Sequence, residues 1–322
     1  MELSVAECCE KLRQMDDVVI LCHRNPDGDT LGSGFALRYI LEQLGKRSRI
    51  ECNDELPNQY HYMLPIHGPE DFEPKFVVAV DIADEKLFGE NLEQYKGKVD
   101  LCIDHHGSNK HYAKDWLVRS DAAACAEIIE DICYGFEDVI LTKRIADCIY
   151  TGVATDTGCF RYSNTTGHSH SVAGRMIKAG CDFAMINRVM FELKSPSRIA
   201  MEKEVLNTIE YHFNKQCALV YITQDMMERT GALDSELEGI AAIPRQIEGV
   251  EVGVTMREEA NGEFKISLRT GDLVDASVIG ARLNGGGHRC AAGCNVAGDL
   301  DEAKKIILDA VKQSLVLSEN EK

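Results

Sequence analysis

The 322-residue sequence predicts an α/β protein, with a largely parallel sheet in its N-terminal part and a second, smaller α/β domain behind it. Three observations predict this. Short apolar runs at 18–22, 76–80 and 99–103 alternate with segments of helical period. Each run passes directly into His or Asp, namely His23, Asp81 and Asp104-His105-His106. Finally, the length suits two domains of about 150 residues each, and Lys194-Ser195-Pro196-Ser197-Arg198 breaks the pattern near the middle.

The elements follow in order. Ser4 and Glu7 form a capping-box pattern, and Val5, Cys8 and Leu12 make a stripe, so 4–15 reads as a helix. The run 18–22 reads as a buried strand. After a polar loop, 34–44 reads as a helix stopped by Gly45. Strands at 76–80 and 99–103 are followed by helical patterns at 122–134, 145–154 and 169–179, with Asp121 and Asp182 as N-caps. Beyond the break come a helix near 199–211, a strand at 218–223, and a hairpin of 250–256 with 264–268 around Asn261-Gly262. A segment at 275–283, a glycine cluster and a helix at 301–316 close the chain. The domain reading is 1–193, a linker at 194–204, and 205–322.

Lys plus Arg number 35 against 53 Asp plus Glu, a net charge of −18. That balance argues against binding long nucleic acid through a general positive field, because such affinity comes from basic groups displacing phosphate counterions. A small anionic substrate remains compatible. No apolar run approaches the ~18 residues of a membrane span, and the first residues are too acidic for a signal peptide, so a cytoplasmic protein without membrane association is expected. The thirteen cysteines include no C-x-x-C. They read as reduced structural thiols, with Cys290 and Cys294 nearest to a metal pair. Asn164-Thr165-Thr166 is a chance glycosylation match, and Gly32-Ser33-Gly34 lacks the Gly-Lys-Ser/Thr of a phosphate loop.

In open parallel sheets ligands bind outside the carboxyl ends of the strands, so the strand-end residues His23, Asp81, Asp104, His105 and His106 are expected to converge. The loop after the first strand adds Asp27 and Asp29, and Thr155-Asp156-Thr157-Gly158 adds a further carboxylate. Singly, each reads as a turn or cap residue. Their coincidence at element ends reads as a site. Imidazole with several carboxylates and no thiolate suits manganese or a similar ion, and more than six candidate donors suggest two metals sharing a carboxylate.

The segments HRNPDGDTLGS, VAVDIAD, IDHHGSN and VATDTGCF, in this order, resemble the motifs of the DHH phosphoesterase superfamily. Gly285-Gly286-Gly287-His288 resembles the signature of its DHH-associated C-terminal domain. The resemblance implies a parallel-sheet DHH domain followed by the smaller associated domain. It implies His23, Asp27 and Asp81 on one metal, and Asp29, Asp81, His105 and Asp156 on the other, with Asp81 as bridge. Asp81, Asp104, His105 and His106 form the implied catalytic set, Asp104 orienting the imidazoles and His106 touching a substrate phosphate. The implied cofactors are two divalent ions, manganese first, magnesium or cobalt as alternatives. Bound, they would take the charge from −18 to −14.

Substrate choice is expected in the second domain. A triple-glycine turn lets backbone N–H groups approach a phosphate, and Arg269 and His288 add donors, although Gly285, Gly286 and Gly287 also suit a plain helix stop. Within the superfamily the chain is most similar to compact two-domain nano-RNases that also act on 3′-phosphoadenosine 5′-phosphate. Hence the expected partners are short oligonucleotides and nucleoside bisphosphates, with one phosphate at the metals, another at the glycines and the gap acting as a length ruler. Cyclic dinucleotides or linear pApA are the alternative substrates. Inorganic pyrophosphate and a nonenzymatic nucleotide sensor stand further off, and a homodimer is left open.

Overall fold

A hydroxyl and a carboxylate start the first helix. Ser4 Oγ accepts from the Glu7 N–H, and Glu7 returns the bond by accepting from the Ser4 N–H at 2.8 Å, so α1 (Val5–Gln14) begins at a capping box. The computed structural model describes residues 1–65, 71–237 and 239–320, and the chain divides into two units, Met1–Leu193 and Lys194–Lys322.

In the first unit β1 (Val18–Leu21) leads to α2 (Gly28–Gln43) and β2 (Ser48–Glu51). The chain then crosses to β3 (Phe76–Val80), β4 (Leu101–Asp104) and β5 (Asp115–Val118). These five strands pair in parallel in the order β2-β1-β3-β4-β5. Alternation decides the layers. Val18, Ile20, Val78, Val80, Leu101 and Ile103 join one buried cluster with the helices, while Val19, Leu21, Val77, Ala79 and Cys102 pack on Phe88, Leu92 and Tyr95 on the other face. The strand order reverses between β1 and β3, the place where such sheets open a crevice at their carboxyl ends.

Four helices follow. They are α3 (Cys125–Tyr134), α4 (Lys143–Asp156), α5 (Gly167–Lys178) and the short α6 (Phe183–Asn187), which runs into a π-helical turn, Arg188–Glu192. Helix α2 starts six residues before the apolar stripe suggests, at Gly28 rather than 34. Its glycines explain this, because they are contact residues and not breakers: a Cβ on Gly32 would meet the Cys148 carbonyl of α4 at 2.5 Å, and one on Gly28 would meet Thr155 Oγ1 at 2.3 Å. Asp182 caps α6 by accepting from the Met185 N–H at 3.2 Å. Asp121 caps nothing: the N-cap position of α3 is Ala124, and Asp121 lies 3.7 Å from Arg119. The edge strands β2 and β5 are four residues each; β2 is mostly polar, and the apolar stretch of β5, Trp116-Leu117-Val118, is shorter than the runs that mark the central strands.

The second unit opens with α7 (Pro196–Asn207), so most of 194–204 is helical rather than linker. Ser195 accepts from the Arg198 N–H at 2.9 Å, and Pro196 takes the first turn, where no amide is missed. Then come β6 (Glu210–His212), β7 (Cys217–Ile222), α8 (Gln224–Thr230), β8 (Val252–Glu258), β9 (Phe264–Thr270), α9 (Ala276–Arg282), β10 (Gly286–His288), β11 (Ala291–Val296) and α10 (Leu300–Asn320). The strands form one mixed sheet, β10-β11-β9-β8-β7-β6, in which β7 and β8 are parallel. One cluster joins Ile266, Leu268 and Val254 to Ile279, Ile307 and Val311. A second, on the opposite face, packs Val220 and Ile222 against Met201, Val205 and Met226. Among the described residues no helix is long and apolar enough to cross a membrane, and the thirteen cysteines are all free thiols.

Candidate metal centre

The carboxyl ends of β1, β3 and β4 bring His23, Asp81, His105 and His106 together, and the ends of α2 and α4 add Asp27, Asp29 and Asp156. Three overlapping clusters of donor atoms result: His23 with Asp27 and Asp81; Asp29 with His105 and Asp156; and Asp81 with His105 and His106.

Asp81 faces both sides. Its Oδ2 lies 3.7 Å from His23 Nε2 and its Oδ1 lies 3.5 Å from His105 Nε2. Asp27 Oδ1 is 3.6 Å from His23 Nε2, and Asp29 Oδ2 and Asp156 Oδ2 are 3.8 and 3.7 Å from His105 Nε2. These gaps are too long for hydrogen bonds. They are close to the roughly 3.0–3.5 Å that separates donors held about 2.1 Å from one cation. Asp81 is buried, its Oδ1 has no hydrogen-bond partner among the described residues, and its backbone takes a left-handed φ of 58°. An orphaned carboxylate oxygen on a strained, buried residue is costly unless something electropositive sits against it. The donor set therefore fits divalent cations.

Hydrogen bonds settle the imidazole tautomers. His23 Nδ1–H donates to the Arg24 carbonyl at 2.8 Å, and His105 Nδ1–H donates to the Ala122 carbonyl at 3.2 Å. Carbonyl oxygens only accept, so Nδ1 carries a hydrogen in both rings, and Nε2, the atom turned toward the carboxylates, is the one each ring can offer to a cation. His106 differs. Its Nδ1–H donates to Asp104 Oδ1 at 2.8 Å, which commits that nitrogen elsewhere and leaves Nε2 on a half-exposed ring.

Asp27, Asp29 and Asp104 are each held by a support of their own. Asp27 is the N-cap of α2 and accepts from the Asp29 and Thr30 amides at 3.0 and 3.1 Å. Asp29 accepts from the Cys125 and Ala126 amides at 2.6 and 2.9 Å, so it caps α3, whose own N-cap residue Ala124 offers no side-chain oxygen. Asp104 accepts from the His105 amide and from Asn109 Nδ2 at 2.8 and 2.6 Å, fixing the loop that carries both histidines.

Burial and mutual repulsion then set the charges. Burial first, and the neighbouring Asp156 second, push Asp29 up to about 7. Burial, then Asp27, raises Asp156 to about 6. Asp81 is raised well above the usual carboxylate range by burial and by Asp29 and Asp27. Asp104 goes the other way: burial acts against its charge but is outweighed by the bonds from His106 and Asn109. Asp104 in turn raises His106. Three carboxylates that resist ionising together are poised to receive positive charge.

Residues 17–153 match the DHH family, N-terminal domain, and residues 214–316 match the DHHA1 domain. A bifunctional oligoribonuclease and PAP phosphatase NrnA from Thermus thermophilus is 32% identical over 95% of this chain and 95% of its own length. The chain belongs to the DHH family. Its DHH fold also appears in an exopolyphosphatase-related protein from Bacteroides fragilis, with a TM-score of 0.87 at 24% identity, covering 98% of this chain and 97% of that one. The RecJ structure from Thermus thermophilus in complex with Mn²⁺ is more distant, with a TM-score of 0.55 and 14% identity over 96% of this chain and 54% of that one. As a DHH phosphoesterase the chain is a hydrolase.

In the second unit, Gly286 and His288 lie in the exposed edge strand β10, paired with Gly293 and Ala291 of β11. The tract is thus a strand and not an open turn. Close packing explains two of its glycines: a Cβ on Gly285 would meet the Gly293 carbonyl at 2.1 Å, and Gly287 adopts a φ of +151°. Arg269, on β9, pairs with Ala291 of β11, and its guanidinium donates to the Leu268 carbonyl at 2.9 Å. Sequence reasoning assigned no site role to Glu127, Asn109 or Asn164. Asn164 donates to the Ala123 and Asp156 carbonyls, both at 3.1 Å, tying the α3 entry to the end of α4.

Proposed function

We propose that this DHH protein hydrolyses phosphoester bonds in very short oligonucleotides, releasing mononucleotides, and in 3′-phosphoadenosine 5′-phosphate, with the aid of two divalent metal ions. The observation that carries the reading is Asp81, whose two oxygens face two separate donor groups while one of them has no hydrogen-bond partner. His23, Asp27 and Asp81 would hold one ion; Asp29, Asp81, His105 and Asp156 would hold the other. Bound there, such ions polarise a phosphoryl group and make water nucleophilic at neutral pH.

The chain's own groups do the rest. Two backbone amides hold the Asp29 carboxylate and Asn164 ties down the Asp156 main chain, so the scaffold of the donor set exists before substrate arrives. Asp104 holds the His106 ring by Nδ1 and favours its protonated form, which leaves Nε2 to donate to a substrate phosphate oxygen. The second unit supplies further substrate contacts through Arg269, Gly285, Gly286, Gly287 and His288. The activities named for the Thermus relative and the manganese in RecJ support this reading, with manganese as the preferred ion.

The test is a product analysis of the purified chain with manganese, comparing a dimer, a trimer, a 24-mer, 3′-phosphoadenosine 5′-phosphate, pApA, cyclic di-AMP and pyrophosphate. Rapid conversion of the shortest oligomers and the bisphosphate supports the proposal. Equal rates on dimer and 24-mer overturn the length limit, and no turnover of any substrate overturns the enzymatic reading.

A further inference from the structure

Glu127 has no place in the donor set, yet it is a buried carboxylate, 1% exposed, in the first turn of α3. Its Oε2 accepts from the Ala123 N–H at 3.1 Å, and its Oε1 has no hydrogen-bond partner among the described residues. The Ala123 N–H and the Ala122 carbonyl belong to one peptide unit, and that carbonyl accepts from His105 Nδ1–H at 3.2 Å. Carboxylate, peptide and imidazole therefore form a continuous chain: Glu127 accepts from the peptide, and the peptide accepts from His105. Hydrogen bonds in series polarise one another, so a negative group at one end makes the carbonyl at the other a better acceptor.

We propose that Glu127 is a positioning residue for the metal centre, acting through the Ala122-Ala123 peptide to fix the His105 tautomer and to strengthen its Nε2 as a donor. This deepens the metal-centre reading and rests on it. A carboxylate bonded directly to a ligand imidazole is the common form of such support. Here a peptide stands between them, which lets the carboxylate sit in α3 while His105 hangs from the β4 end. The next peptide along the chain is anchored as well, since Asn164 holds the Ala123 carbonyl and the Asp156 carbonyl together. The position of His105 relative to Asp156 is thereby set by one short loop.

A purely structural role also accounts for a glutamate here, since the third helical position is where Glu or Gln reaches back to cap a helix start. Substitution by glutamine separates the two, because Glu127→Gln keeps an oxygen that can accept from Ala123 and removes only the charge. The experiment measures manganese binding by calorimetry to the full-length wild type and to E127Q, alongside melting of both proteins without metal. An affinity at least about ten-fold weaker in E127Q, with metal-free melting unchanged, is the expected result. Equal affinity in the two proteins overturns the proposal and leaves the metal centre standing. Failure of the wild type to bind manganese overturns the metal centre itself.

The wild type offers a second readout that does not depend on the variant folding. In ¹⁵N-histidine spectra of the magnesium-loaded protein, His105 is expected with a protonated Nδ1 whose N–H proton is shifted downfield by its hydrogen bond. A His105 ring protonated at Nε2 instead would overturn the relay.

Discussion

The carboxyl edge of the parallel sheet and the glycine-bearing edge of the mixed sheet are built on opposite principles. At the first, Asp29 and Asp81 are buried, repel one another, and leave an oxygen unpartnered. At the second, Gly286 and His288 are exposed on a strand that is hydrogen-bonded to its neighbour and carries little side-chain bulk. On the function proposed above, chemistry falls where polar groups are held against their own folding preference, and recognition falls to backbone shape and exposed donors. Substitutions at the first edge should therefore damage turnover and relieve the fold. At the second they should damage binding or the fold and spare the metals.

The largest effect is expected for Asp81→Asn. Both donor groups lose their shared member, so activity should fall by about 10³-fold or more, measured as initial rate on a dinucleotide with saturating manganese. The glycine edge offers a sharper contrast between neighbours. Gly285→Ala drives a Cβ into the Gly293 carbonyl and should cost about 1–3 kcal/mol in urea unfolding. Gly286→Ala has open space around it and should stay within roughly 0.5 kcal/mol. Equal costs for the two would show that the edge is not packed as described. Next in size, Arg269→Ala should raise KM for the bisphosphate about ten-fold while kcat and manganese affinity hold. A fall in kcat alone would place Arg269 with the chemistry rather than with binding.

Strand ends were the most legible part of the molecule in sequence. The runs 18–22, 76–80 and 99–103 are apolar because central parallel strands are covered on both faces, so the polar residue that ends each run stands out. Helix α2 was legible only from Gly34 onward, since Gly28 and Gly32 resemble loop residues until the approach of α4 is known. The supports of the centre were hidden for a related reason. Asp29 caps a helix 96 residues away, and Glu127 reaches His105 only through a peptide group. Such bonds carry no sequence spacing. The Gly-Gly-Gly-His tract stands out as composition, but its pairing with β11 depends on a register that composition does not specify.

The smallest predicted effect isolates the strain at the metal edge. Burial and neighbouring charges raise Asp81 in the metal-free protein, so the folded state keeps its proton to a higher pH than the unfolded chain, whose carboxyl titrates near 3.8. A raised carboxylate contributes stability that is fully present below the unfolded value and is lost as pH rises through the folded one. Asparagine has no proton to lose. The melting temperature of metal-free Asp81→Asn relative to wild type should thus climb between pH 5 and pH 8, by about 2–4 °C for each kcal/mol of relief. Carboxylates that are pulled down, such as Asp104 and Asp138, lose their contribution only at acid pH and act alike in both proteins, so they cancel in the difference. Saturating manganese should abolish the climb, because the wild-type carboxylate then has the positive charge it lacks. A difference that stays flat with pH, or one that persists with manganese bound, would show that burial at this edge is not what separates it from the glycine edge.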